Sequence, residues 1–127
     1  MPFLSSLLNA ILASVLDASN GFTIECPDAR IGLSTTINGK ITTVVDETGL
    51  RDMIANDEDV SCVCTSKVTN MQSLLSSSPN FNQDISSWDT SGVTNMESLF
   101  NSAQLFNQDI SGWDTSKVTD MGGLFND

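Results

Sequence analysis

The stretch that decides the fold is Phe81-Asn82-Gln83-Asp84-Ile85-Ser86, which returns unchanged as Phe106-Asn107-Gln108-Asp109-Ile110-Ser111. The interval is 25 residues, and it holds outward from this hexapeptide in both directions. Val68-Thr69-Asn70-Met71 matches Val93-Thr94-Asn95-Met96 and then Val118-Thr119-Asp120-Met121. Leu74, Leu99 and Leu124 coincide, as do Leu75, Phe100 and Phe125, and Trp88 matches Trp113. A weaker earlier copy puts Val60 at the position of Ile85, Val63 at that of Trp88, and Thr65-Ser66 at that of Thr90-Ser91. A fixed period of this length marks units that cannot bury their apolar faces alone and must stack.

Within one unit, Met96, Leu99 and Phe100 are spaced i, i+3, i+4, which predicts one face of a short helix. Thr94 and Glu97 stand in the relation of a capping box, in which each side chain satisfies an orphan amide at a helix start. Thr69 and Gln72 repeat that relation, whereas Thr119 is followed by Gly122 and keeps half of it. Ile85 and Trp88 flank Ser86-Ser87 in a segment too short for a helix, so a strand or extended turn is expected. The resulting expectation is an α/β, LRR-like repeat solenoid, one short extended segment and one short helix per 25-residue unit.

The pattern F-N-Q-D-I-S-x-W-D-T-S-x-V-T-N/D-M-x-x-L-F resembles the repeat of BspA-type leucine-rich-repeat surface proteins of bacteria. It runs from about Thr65 to Asp127, and the segment from Gly39-Lys40 to Cys64-Thr65-Ser66 resembles the lead-in to such repeats. The resemblance implies a secreted or surface-displayed protein of adhesion or protein binding, with no catalytic residues to carry over. Two departures stand out: the sequence ends two residues after Phe125, and no anchoring or sorting module follows. A truncated member or a fragment is the expectation.

Three divisions follow. Residues 65–127 are the repeats. Residues 21–64 read as an N-terminal cap of a hairpin and a helix. Ile37-Asn38-Gly39-Lys40-Ile41 carries the Asn-Gly signal of a tight hairpin, Thr42 to Val45 continue the second strand, and Asp46 or Thr48 caps a helix in which Leu50, Met53 and Ile54 share a face. Asn56 to Asp59 end that helix. Residues 1–20 hold Phe3, Leu4, Leu7, Leu8, Ile11, Leu12, Val15 and Leu16 in pairs recurring every four residues. The stripe fits an amphipathic helix. A signal peptide would place a more continuous apolar run behind a basic residue, and the first basic residue here is Arg30. Ala18 and Ser19 are nevertheless compatible with cleavage. The interleaved Ser and Asn exclude a membrane span. At the other end, Leu124 and Phe125 close onto nothing, which predicts a sticky terminus open to end-to-end association.

The 127 residues suffice for one modest domain. Acidic residues number 16 against 5 basic, a net charge of −11, which argues against nucleic acid and against an anionic membrane surface. Histidine and tyrosine are absent, removing the commonest general base and metal ligand. Of three cysteines, Cys26 is expected to bridge one of the Cys62/Cys64 pair, with Cys64 preferred, and one thiol is left over. Three thiols without histidine or C-x-x-C spacing do not make a metal site.

The repeat places Asp84 beside Asp109 and Asp89 beside Asp114. A Ca²⁺ ion bridging these carboxylates would relieve their repulsion, while the competing reading has them accept turn amides, the usual work of Asx residues. As glycosidase carboxylates they have nothing to tell acid from base. Trp88 and Trp113 would suit a sugar-stacking face, or the core. The Thr65, Thr90, Thr115 column suggests a water-ordering face, although three rungs make it small. No cofactor and no catalytic residue is expected. The function expected is non-catalytic recognition of an extracellular protein or surface ligand, with a structural spacer or a Ca²⁺-dependent binder as alternatives.

Overall fold

The computed structural model describes residues 23–26, 28–37 and 39–126. The readings made for residues 1–20 and for Asn38 lie outside them. A hairpin comes first: β1 (Ser34–Ile37) pairs antiparallel with β2 (Lys40–Val44) in the register Ile37↔Lys40 to Ser34↔Thr43. Gly39 sits at φ +80, which a two-residue hairpin connection needs and a side chain would resist. The chain then enters α1 (Glu47–Ala55). Asp46 is its N-cap, its Oδ1 accepting the Gly49 amide at 2.7 Å, and Leu50 and Ile54 are its buried face. Two residues, Val63–Cys64, form β3, which pairs parallel with β2 through Thr43↔Val63 and Val44↔Cys64. The sheet is open and three-stranded, in the order β1-β2-β3.

This architecture corrects the expected α/β LRR-like solenoid. The described residues contain one α-helix and one small open sheet, and none of the 25-residue units carries a helix. The reason lies in where the backbone amides go. Met71, Ser73 and Leu75 donate to the carbonyls of Asn95, Glu97 and Leu99 at 2.8 to 3.0 Å. Met96, Ser98 and Phe100 donate in the same way to Asp120, Gly122 and Leu124. An amide that bonds to the neighbouring copy is not free for the carbonyl four residues back, so an α-helix cannot propagate. The amides between them close turns, as Leu74 does onto Met71. Ser73, Ser98 and Gly123 stand at the same repeat position with φ of 54, 54 and 63, a left-handed residue that breaks any helical run.

The capping boxes are corrected with the helices. Asn70, Asn95 and Asp120, not the threonines before them, accept the amides two residues on, from Gln72, Glu97 and Gly122. Thr94 and Thr119 instead donate their hydroxyls to the carbonyls of Thr69 and Thr94, one copy back. The i, i+3, i+4 apolar pattern that mimicked a helix belongs to a turn that points the same side chains inward. Isolated parallel bridges, Asn70↔Asn95 and Asn95↔Asp120, mark the line along which the copies lie side by side.

The principal core joins α1 to the copies. Leu50 and Ile54 pack with Val60, Val63, Val68, Met71, Leu75, Ile85, Trp88, Val93, Met96 and Leu99, all at most 6% exposed. Trp88 is core, 1% exposed, and its Nε1 donates to the Val60 carbonyl at 2.8 Å. A second, smaller cluster on the other side of the sheet holds Ile24, Cys26, Ala29, Ile37, Val44 and Cys64. Cys26 and Cys64 are disulfide-bonded within it, Cα to Cα 6.3 Å, and Cys62 is a free, half-buried thiol.

Candidate functional site

The hairpin and the first two copies enclose a groove of about 800 Å³. Lys40, Asp57, Asp59, Cys62 and Asp84 are among its lining residues. Gln83, another lining residue, crosses between copies. The Gln83 Oε1 accepts the Val60 amide at 2.8 Å, and its Nε2 donates to the Glu58 carbonyl at 2.9 Å. Gln108 repeats half of this, donating to the Asn82 carbonyl at 2.9 Å.

Two of the lining carboxylates, Asp59 and Asp84, belong to a column that Asp109 continues beyond the groove. Asp59, Asp84 and Asp109 are 25 residues apart, and each is followed two residues later by a serine. The Ser61, Ser86 and Ser111 amides donate to the respective Oδ1 atoms at 2.9, 3.0 and 2.9 Å, and the Ser61 and Ser86 hydroxyls donate to them as well. Serine hydrogen bonds hold the carboxyls of Asp59, Asp84 and Asp109 below the ordinary carboxylate range. Lys40 adds a smaller push in the same direction on Asp59 and Asp84. Hydrogen bonds to the ionised form favour that form. All three are therefore anions throughout the neutral range.

Asp89 and Asp114 form the second column, and they part company. Asp89 is buried, 7% exposed, and accepts the Ser91 amide and hydroxyl and the Ser66 hydroxyl. Asp114 is exposed, and the Ser116 hydrogen bonds hold its carboxyl low. The four carboxylates considered for calcium, Asp84, Asp89, Asp109 and Asp114, are thus each engaged by a serine of their own turn. Among the described residues no group of three acidic, cysteine or histidine side chains is placed to hold a metal ion.

The position before Asp89 in the repeat is Cys64, so Ser66 has no carboxylate in its own copy. It donates instead to Asp89 of the next copy at 2.6 Å and accepts the Cys26 amide at 2.8 Å. The Thr65 and Thr90 hydroxyls are likewise spent, donating to the carbonyls of Asp89 and Asp114. Both threonines are buried, so Thr115 is the one exposed member of this column and no array faces water.

Asp59 and Lys40 are the site residues that the sequence reading missed. Asp59 was legible, since Asp59-Val60-Ser61 has the form of Asp84-Ile85-Ser86 one period earlier. Lys40 was not, because only the fold of the hairpin over the first copy brings it to the groove.

Residues 47–127 match the family described as "Mycoplasma protein of unknown function, DUF285", and the chain belongs to that family. The resemblance to BspA-type leucine-rich-repeat proteins is corrected accordingly: the family matched is a different one, and the helix per repeat that the resemblance implied is absent. No curated protein and no solved structure was found to match. No helix among the described residues is long and apolar enough to cross a membrane.

Proposed function

We propose that this member of a family without an assigned activity is a non-catalytic recognition module that works outside the cytosol and engages a basic segment of a partner protein along the acidic groove. The observation that carries the reading is the column of Asp59, Asp84 and Asp109, the first two in the groove lining, each held as an anion by its serine and each one copy from the next. A chain of net charge −11 attracts a cationic partner from a distance and slows the approach of an anionic one. The groove beside that column gives the partner's aliphatic stems a place to lie, with Ile37 at its hairpin end.

Catalysis fits this geometry poorly. The carboxylates repeat the same hydrogen-bond environment, so nothing separates an acid from a base among them. The buried Cys26–Cys64 disulfide supports an oxidising compartment, where such bonds persist.

The test uses the full chain and two fluorescent twelve-residue peptides, one rich in arginine and one rich in glutamate. The arginine peptide should bind, with an affinity that falls as salt is raised. The double variant Asp59→Asn, Asp84→Asn should weaken it at least tenfold. Equal binding by the variant, or equal binding of both peptides, would overturn the reading. Alkylation trapping of Cys26 and Cys64 in intact cells tests the compartment, and finding both as free thiols would refute it.

A further inference from the structure

Where α1 meets the repeats, a seam stays open. Segment 77–83 and its repeat, 102–108, are joined closely: the Leu105 amide donates to the Pro79 carbonyl at 3.1 Å, and the Asn107 amide to the Asn82 Oδ1 at 2.8 Å. One period earlier the donors are Asn80 and Asn82, and the residues facing them are Ile54 and Asp57. Those two belong to α1 and to the turn that ends it. The Ile54 carbonyl accepts the Asp57 amide, and Asp57 stands at φ 54, unlike Asn82. Among the described residues, the Asn80 and Asn82 amides therefore meet no acceptor. A second groove of about 540 Å³ lies between α1 and this segment.

This groove adjoins the acidic one, and Asp57 and Gln83 line both. Gln83 is fixed there by its bonds to the Val60 amide and the Glu58 carbonyl, so the passage between the two is built in advance. Past it the chemistry changes. Arg51 lines the second groove, its guanidinium held by Glu47 at 3.4 Å and by the Gln72 carbonyl at 2.8 Å. Asp57 is the one carboxylate in the lining, so a run of cations gains nothing by continuing beyond it. Ile54, Leu74 and Phe81 offer apolar surface instead.

The two open amides set the form of an occupant. Donors two residues apart match alternate carbonyls of an extended chain, which recur about every 6.6 Å. Strand addition of this kind takes affinity from the backbone and specificity from alternate side chains. Resting on the reading of the acidic groove as the seat of a basic segment, we propose that this segment runs on past Asp57 and Gln83 and lies extended in the seam. Its carbonyls accept the Asn80 and Asn82 amides, and an apolar side chain rests on Ile54, Leu74 and Phe81. The sequence recognised in the partner is then bipartite, a run of arginine or lysine beside a leucine-like residue.

The experiment uses the full chain and three fluorescent twelve-residue peptides with the same four central arginines. One has serine on both sides of the arginines, one has two leucines on the amino side, and one has them on the carboxyl side. At least one leucine peptide should bind tenfold more tightly than the serine peptide, the effect of burying one branched side chain. Ala55→Gln, Ser77→Gln, at two exposed lining positions, fills the seam without changing charge. It should abolish that gain and leave the affinity of the serine peptide as it was. Should this variant fail to fold, hydrogen exchange on the unmodified chain decides: the tighter leucine peptide should slow the Asn80 and Asn82 amides at least tenfold, and the serine peptide should not. Binding of the serine peptide with no gain from leucine, a gain that the variant keeps, or unchanged exchange at those amides would overturn the proposal and leave the groove reading standing. Failure of all three peptides to bind would overturn the groove reading, and this inference with it.

Discussion

The indole Nε1 of Trp88 donates to the carbonyl of Val60, 28 residues earlier, at 2.8 Å, and the Trp113 Nε1 repeats the bond to Ile85 at 3.1 Å. The two rings stack with centroids 6.2 Å apart and planes 7° from parallel. One aromatic column thus ties each copy to the one before it, through its polar atom as well as its apolar body.

Trp88→Phe removes the donor from a buried carbonyl, and an unsatisfied buried acceptor costs about 1–3 kcal/mol. Chemical denaturation should show that loss for Trp88→Phe and a smaller one for Trp113→Phe, whose site water already reaches. Equal losses would mean that the column does not weaken toward its outer end.

The Cys26–Cys64 bond closes a loop with a sequence separation of 38 and anchors the smaller core to the first copy. Its removal by Cys26→Ser, Cys64→Ser should cost about 2–4 kcal/mol. Reductant should lower the melting temperature of the parent by a similar amount and leave the double variant unaffected. Cys62→Ser, outside the bond, should melt as the parent does.

Asp59, Asp84, Asp109 and Asp114 have carboxyls held below their value of 3.8 in an unstructured chain. A depressed folded-state pKa contributes stability above the unfolded value and loses it as pH falls through the folded one. Melting temperature should therefore hold steady from pH 7 to about 5 and decline below about 4. In Asp84→Asn the decline should be shallower. Millimolar Ca²⁺ at pH 7 should leave the midpoint unmoved, because among the described residues no three such side chains are grouped to hold a metal ion.

Thr42 is wholly buried on β2, and its hydroxyl has no hydrogen-bond partner among the described residues. Thr42→Val keeps the branched shape and removes the stranded polar atom. Denaturation should show a gain of about 1 kcal/mol, and a loss would reveal a partner for the hydroxyl.

The sequence by itself determined the period, the packing side chains and the Asp-x-Ser turns. A 25-residue recurrence of Ile, Trp, Val, Met and Leu marks inward positions whatever the backbone between them does, because burial follows side-chain type. Asp-x-Ser is a local hydrogen-bonding unit, so its turns were readable wherever it stood, whereas Asn95 was passed over in favour of Thr94 and Asp46 was left beside Thr48 as the cap of α1. What the sequence left open was the partner of each backbone amide. Met96, Leu99 and Phe100 satisfy a helical spacing and a turn equally, and only the neighbouring copy, by offering carbonyls at Asp120, Gly122 and Leu124, settled the choice. Tertiary structure likewise brought Lys40 to the acidic groove and laid the Cys26 segment across the copies, from Ser66 to Ser87. Those relations join residues far apart in the chain, and nothing in the local physics of either partner encodes the other.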